Sequence, residues 1–81
     1  MLRLSAKTKL SPEEAVRRAV KFFGPEGYKL EIKEESETEA SFEGGGGGVS
    51  VSASIEDGKT TVELASREWE YQIREFVQKI T

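Results

Sequence analysis

The stretch Phe42-Glu43-Gly44-Gly45-Gly46-Gly47-Gly48-Val49-Ser50-Val51 decides the fold of this chain. Five consecutive glycines separate two runs that alternate apolar and polar residues. Alternation with one apolar face is the pattern of a half-buried strand. Before the glycines, Thr38, Ala40 and Phe42 face one way, and Glu39, Ser41 and Glu43 the other. After them, Val49, Val51, Ala53 and Ile55 alternate with Ser50, Ser52 and Ser54. A two-residue hairpin turn requires positive φ at both central positions, which glycine adopts without steric cost. Centring the turn on Gly45-Gly46 sets Phe42 against Val49, Ala40 against Val51 and Thr38 against Ala53.

The next turn extends the meander. Asp57-Gly58 is a hairpin signal, and Thr60, Val62 and Leu64 follow it in alternation. Centring there sets Ile55 against Thr60, Ala53 against Val62 and Val51 against Leu64. Every inward residue meets an inward residue in both registers. A slip of one residue would turn a whole apolar set toward water.

Upstream, Tyr28, Leu30 and Ile32 form one face of a further strand, opposite Lys29, Glu31 and Lys33, with a polar turn near Glu35–Glu37. Residues 2–8 alternate as well, with Leu2, Leu4 and Ala6 on one side. Between these strands, Ser11 is an N-cap, Pro12 suits the first helical position and Glu14 completes a capping box. Ala15, Val16, Ala19, Val20 and Phe23 then share one helical face, and Gly24-Pro25 ends it. At the other end, Ser66 is the expected cap of a last helix with Trp69, Ile73, Phe76, Val77 and Ile80 as its apolar stripe.

The order β-α-β-β-β-β-α, with one apolar face per strand and two amphipathic helices, predicts an α+β fold. It is a two-layer sandwich: a mostly antiparallel five-stranded sheet with both helices on one face. Residues 1–81 form a single domain. The expected strand order is 1-5-4-3-2. Pairing of the first strand with the second, or across a dimer, stays open.

Composition narrows the function classes. With no Cys and no His, the chain lacks the residues of Ser-His-Asp and Cys-His nucleophilic sites and of almost every zinc site. Twelve basic residues against fifteen acidic give a net charge of −3, which does not suit a nucleic-acid partner. No apolar run approaches the roughly 18 residues of a membrane span, nor the apolar block of a secretion signal. The cytoplasm is the expected location. The many carboxylates fall in turns and on the wet face, where water surrounds them and no catalysis is expected. The segment Lys33–Glu39, rich in glutamate, lacks the spaced ligands and the glycine of a calcium loop. The glycine run precedes a strand, not a helix, so it does not match a phosphate-binding loop. No catalytic residue, metal or cofactor is assigned, and no enzyme is expected.

The glycines exceed what one turn requires. The surplus implies mobility or a backbone that something approaches closely. Counting along the strands brings Trp69, one turn beyond Ser66, next to the glycines. Phe22, Phe23, Tyr28 and Phe42 collect at the same end. Two readings stand: an aromatic mini-core closing that end, or a shallow apolar site beside a flexible lip. In the second, Phe42, Gly45, Gly46, Gly47, Trp69 and Tyr71 would meet a ligand or partner. The flat outward stripe Ser50, Ser52, Ser54 is either a solvated face or a surface for a second copy or another protein.

The segments Phe42–Val51 and Arg67-Glu68-Trp69-Glu70-Tyr71-Gln72-Ile73 resemble stretches of small uncharacterised prokaryotic proteins. The whole-chain order also resembles an abbreviated helix-grip domain, the class of the START and Bet v 1-like proteins. That resemblance implies a curved antiparallel sheet wrapped round a C-terminal helix, with an apolar ligand held between them. This chain has two strands and one helix fewer than the full fold. The function expected is a small, soluble, non-catalytic binding or protein-interaction module, self-association included. The alternative is a minimal helix-grip-like carrier of a small apolar ligand at the Gly44–Gly48/Trp69 end.

Overall fold

The computed structural model describes residues 1–81. The elements are β1 (Leu2–Thr8), α1 (Pro12–Phe23), β2 (Glu31–Glu35), β3 (Glu39–Gly44), β4 (Gly47–Glu56), β5 (Lys59–Arg67) and α2 (Glu70–Ile80). One antiparallel sheet runs in the order β1-β5-β4-β3-β2. The first strand closes against the fifth, pairing Leu4 with Leu64 and Ala6 with Val62.

The hairpin registers follow from the alternation. Phe42 pairs with Val49 and Ala40 with Val51. Val51 also pairs with Leu64, Ala53 with Val62 and Ile55 with Thr60. Val51 and Leu64 are both buried, so the shared inward face is continuous across the central strands. Gly45 (φ 59°) and Gly46 (φ 81°) make the first turn; Asp57 (φ 53°) and Gly58 (φ 78°) make the second. Positive φ at both central positions twists each turn to match its strands.

Both helices cover the inward face. A single cluster joins Ala15, Val16, Ala19 and Phe23 of α1 to Ile73, Phe76 and Ile80 of α2 and to the inward residues of β3, β4 and β5. Phe23, Phe42, Phe76, Ile73, Val51 and Val62 are its largest fully buried side chains. Each stabilises the fold by about 1.5–3 kcal/mol relative to exposure. The opposite face carries Ser50 and Ser54, both exposed, and stays uncovered.

Several sequence expectations need correction. Ser66 does not cap α2. It lies within β5, which runs on to Arg67, and Trp69 occupies the cap position without a side-chain cap bond. The Ser66 hydroxyl instead donates to the Glu70 carboxylate at 3.2 Å. Glu14 completes half of the capping box: its N–H donates to Ser11 Oγ at 3.1 Å, while its carboxylate pairs with Arg17 and Arg18. The first helix ends at Phe23 as expected, with Gly24 (φ −77°) at its C-cap in extended backbone. The proline after it excludes helical backbone, and a Cβ at Gly24 would sit 2.4 Å from the Val20 carbonyl oxygen.

The second strand begins at Glu31 and not at Tyr28. Residues 24–30 fold back on α1, with Tyr28 N–H donating to Phe22 O at 3.0 Å and Leu30 N–H to Phe23 O at 2.9 Å. Ile55, 66% exposed, and Thr38, also exposed, do not join the inward set. A ten-residue strand spans about 33 Å and a twelve-residue helix about 18 Å, so the helices cannot cover the hairpin tip.

Candidate functional site

The glycine-rich end is built by close packing. Trp69 Nε1–H donates to the Gly44 carbonyl at 2.9 Å. The indole lies so near that a Cβ on Gly45 would be 3.0 Å from Cζ2 of the ring. A Cβ on Gly47 would fall 1.9 Å from the Arg67 carbonyl oxygen, and one on Gly44 2.6 Å from a Leu30 methyl. The surplus glycines are therefore places where neighbouring atoms occupy the space of a side chain. Gly46 alone of the five has nothing within 4 Å of a built Cβ.

Phe22, Phe23, Tyr28, Phe42 and Trp69 converge as the direction counting expects, and Phe76 joins them. Trp69 meets Tyr28 at 5.7 Å between ring centroids, and Tyr28 meets Phe22 at 5.4 Å. Phe22 leads to Phe23 at 4.9 Å and to Phe76 at 5.4 Å, and Phe23 to Phe42 at 5.6 Å. These separations suit edge-on and tilted ring contacts.

The six sequence-derived site residues do not form one surface. Phe42 is fully buried in the core, and Gly47 is buried. Gly45 and Gly46 form the exposed turn, with Trp69 half-buried against it. Tyr71 is 73% exposed and lies outside the ring network, although it is near enough to Tyr28 to act on its phenol electrostatically. The turn, the indole and Phe42 come together as packing; Tyr71 stands apart.

The largest concavity lies elsewhere, between α1 and α2. It is a cleft of about 680 Å³, within the range of roughly 300–1,000 Å³ seen for ligand sites. Phe22, Tyr28, Phe76 and Ile80 form its apolar part. Each is placed by a local cause. Phe22 stands beside Phe23 at the end of α1. Tyr28 is delivered by the fold-back of residues 24–30. Phe76 and Ile80 share a helical face at four-residue spacing. The Tyr28 hydroxyl donates to Glu75 Oε1 on α2 at 2.7 Å, tying that loop to the second helix. This bond raises the Tyr28 pKa above its ordinary 10.0; desolvation and the negative charge of Glu75 act in the same direction.

Charge on the cleft is uneven. Arg18, Lys21 and Lys79 line it, with Glu14 as the one carboxylate among its lining residues. Glu14 is paired with Arg17 and with Arg18 Nε at 3.2 Å. Lys21 and Lys79 are exposed and take part in none of the three ion pairs of the molecule.

Sequence reading places Phe22 and Tyr28 in the aromatic collection at the glycine end and Phe76 and Ile80 in the apolar stripe of the last helix, and does not single out Lys21 or Lys79. Their i+3 relations to Arg18 and Phe76 are visible in the sequence, but their meeting across two helices is a tertiary fact. No three acidic side chains gather closely enough to hold a metal ion. Every buried side-chain nitrogen and oxygen has a hydrogen-bond partner. No helix is long and apolar enough to cross a membrane. Compared with known proteins, the chain matches no protein-family model and no curated sequence.

Proposed function

We propose that this protein is a non-catalytic binding module and that its binding surface is the cleft between α1 and α2. One observation carries the reading: an apolar concavity of ligand size whose floor holds aromatic side chains still partly open to solvent. Phe22 is half-buried and Tyr28 is 39% exposed. Open aromatic surface in a concave site is what ligands and partner side chains bury.

The carrier reading places a small apolar ligand at the Gly44–Gly48/Trp69 end. The indole already covers that backbone, which favours the adjoining cleft as the place for such a ligand. Trp69 touches Tyr28, and Tyr28 lines the cleft. The only tryptophan of the chain is thus one ring away from the proposed surface.

Titration with the neutral apolar dye Nile red tests this. Saturable dye emission, with a matching change in Trp69 emission, is expected; both are lost in Tyr28→Ala, which removes one wall of the cleft. Dye binding unchanged in that variant, or no saturable binding, contradicts the reading. Sedimentation velocity reads self-association. A dimer that forms equally in Tyr28→Ala would move the interaction surface to the face bearing Ser50, Ser52 and Ser54.

A further inference from the structure

We infer that the cleft between the helices selects aromatic carboxylates, the ring lying on Phe22 and Tyr28 and the carboxylate meeting Lys21 and Lys79. The inference rests on the reading of the cleft as the binding surface and adds the ligand's chemical class.

Three observations lead to it. The apolar part of the cleft is mostly aromatic, and Phe22 already holds Tyr28 and Phe76 at 5.4 Å each. Flat rings extend such an arrangement through offset or edge-on contact, which alkyl chains do not. The lining carries three cations and one carboxylate, although the whole chain has a net charge of −3. This local excess of positive charge opposes the general field of the protein, and so favours anions at this place.

The third observation is the state of the charges. Glu14 is engaged by Arg17 and Arg18, and Glu75, at the margin, accepts from the Tyr28 hydroxyl. Glu14 and Glu75 are thus each committed to protein donors. The Lys21 and Lys79 ammonium groups have no carboxylate partner. They stand on different helices and line the same cleft as the rings. A ligand with a ring and one carboxylate satisfies both features; a neutral ring leaves the cations unused, and a cationic ring is repelled.

Isothermal titration with three probes of one shape tests this: 2-naphthoate, 2-naphthalenemethanol and 2-naphthylmethylamine. The expected result is saturable naphthoate binding, with the alcohol about tenfold weaker and the amine weaker still, as two solvent-screened charge contacts imply. Naphthoate binding should weaken with added salt. It should weaken by about tenfold or more in Lys21→Glu/Lys79→Glu, while the amine gains. Both lysines are exposed and unpaired, so the variant keeps its fold; Lys21→Gln/Lys79→Gln and the salt series supply the same information if it does not. Equal binding of naphthoate and alcohol, or naphthoate binding indifferent to the lysines, overturns the inference and leaves the cleft as a plain apolar site. Nile red binding without naphthoate binding has the same meaning. Failure of both probes overturns the cleft reading itself.

Discussion

The Trp69 indole N–H donates to the Gly44 carbonyl at 2.9 Å, tying the entry of α2 to the tip of the β3–β4 hairpin across 25 residues of chain. The bond has a steric condition. The ring passes so close to Gly45 that a side chain there would press on it. Glycine at the turn and tryptophan at the helix entry therefore define each other. The bond also leaves the other side of the indole free to meet Tyr28, which carries the packing on to the cleft.

Trp69→Phe removes the donor and part of the ring. A net hydrogen bond contributes about 1 kcal/mol, and the lost ring area adds a similar amount. Each kcal/mol shifts the midpoint of a domain of this size by about 4–8 °C. A calorimetric midpoint lowered by less than the shift of one such hydrogen bond would show that the contact is incidental.

The glycines differ in what they tolerate. Gly46→Ala meets only the positive-φ penalty, about 1–2 kcal/mol. Gly45→Ala adds pressure on the indole and should cost more. Gly47→Ala places a carbon 1.9 Å from Arg67 O and 2.7 Å from Glu68 Cβ, and should cost about 3 kcal/mol or more. Urea unfolding of the three variants checks the order 46, 45, 47; equal losses would reduce the run to a generic flexible turn.

Thr8 binds the two ends of the chain. Its buried hydroxyl donates to the Ile80 carbonyl at 2.6 Å and accepts from Leu10 N–H at 3.3 Å. Thr8→Val conserves shape but orphans both partners, a loss of about 1–3 kcal/mol. Thr8→Ser keeps the hydroxyl and should recover most of it. Faster amide exchange in the last turn of α2 is expected in Thr8→Val alone.

Tyr28 gives the fold an alkaline dependence. Its pKa is raised in the folded chain, chiefly because the protonated hydroxyl donates to Glu75. A raised pKa means that the protonated form is favoured by folding. The contribution is fully present below the unfolded tyrosine value near 10, and is lost as pH rises through the higher folded value. Tyr28→Phe lacks the bond at every pH. The stability advantage of Tyr28 over the variant should be constant through neutrality and should decline at strongly alkaline pH; a difference that persists unchanged there refutes the linkage.

Much of the architecture was legible because period-two alternation and the two turn signals agree. Phe42 with Val49 and Val51 with Leu64 follow from the turn positions alone. The partner of the first strand did not; Leu4 against Leu64 depends on which edge is free after the meander closes. Ser66 misled for a local reason: a serine before a helix resembles a cap, yet β5 holds it in the ladder and Glu68 turns the chain through positive φ (70°) afterwards. Tyr28 misled in the same way, because alternation continues through a loop that Lys29 (φ 66°) bends out of the sheet. At the site, the approach of Trp69 to the glycines could be counted along the strands. The cleft could not, since Lys21 and Lys79 are far apart in sequence and nothing local states that α1 and α2 lie side by side.

The most direct test of the account is a backbone amide chemical-shift titration of the protein with 2-naphthoate. The largest shifts are predicted at Phe22, Tyr28, Phe76 and Ile80, with Lys21 and Lys79 beside them. Shifts centred on Ser50, Ser52 and Ser54, or on Gly45–Gly47 without the helices, would contradict it.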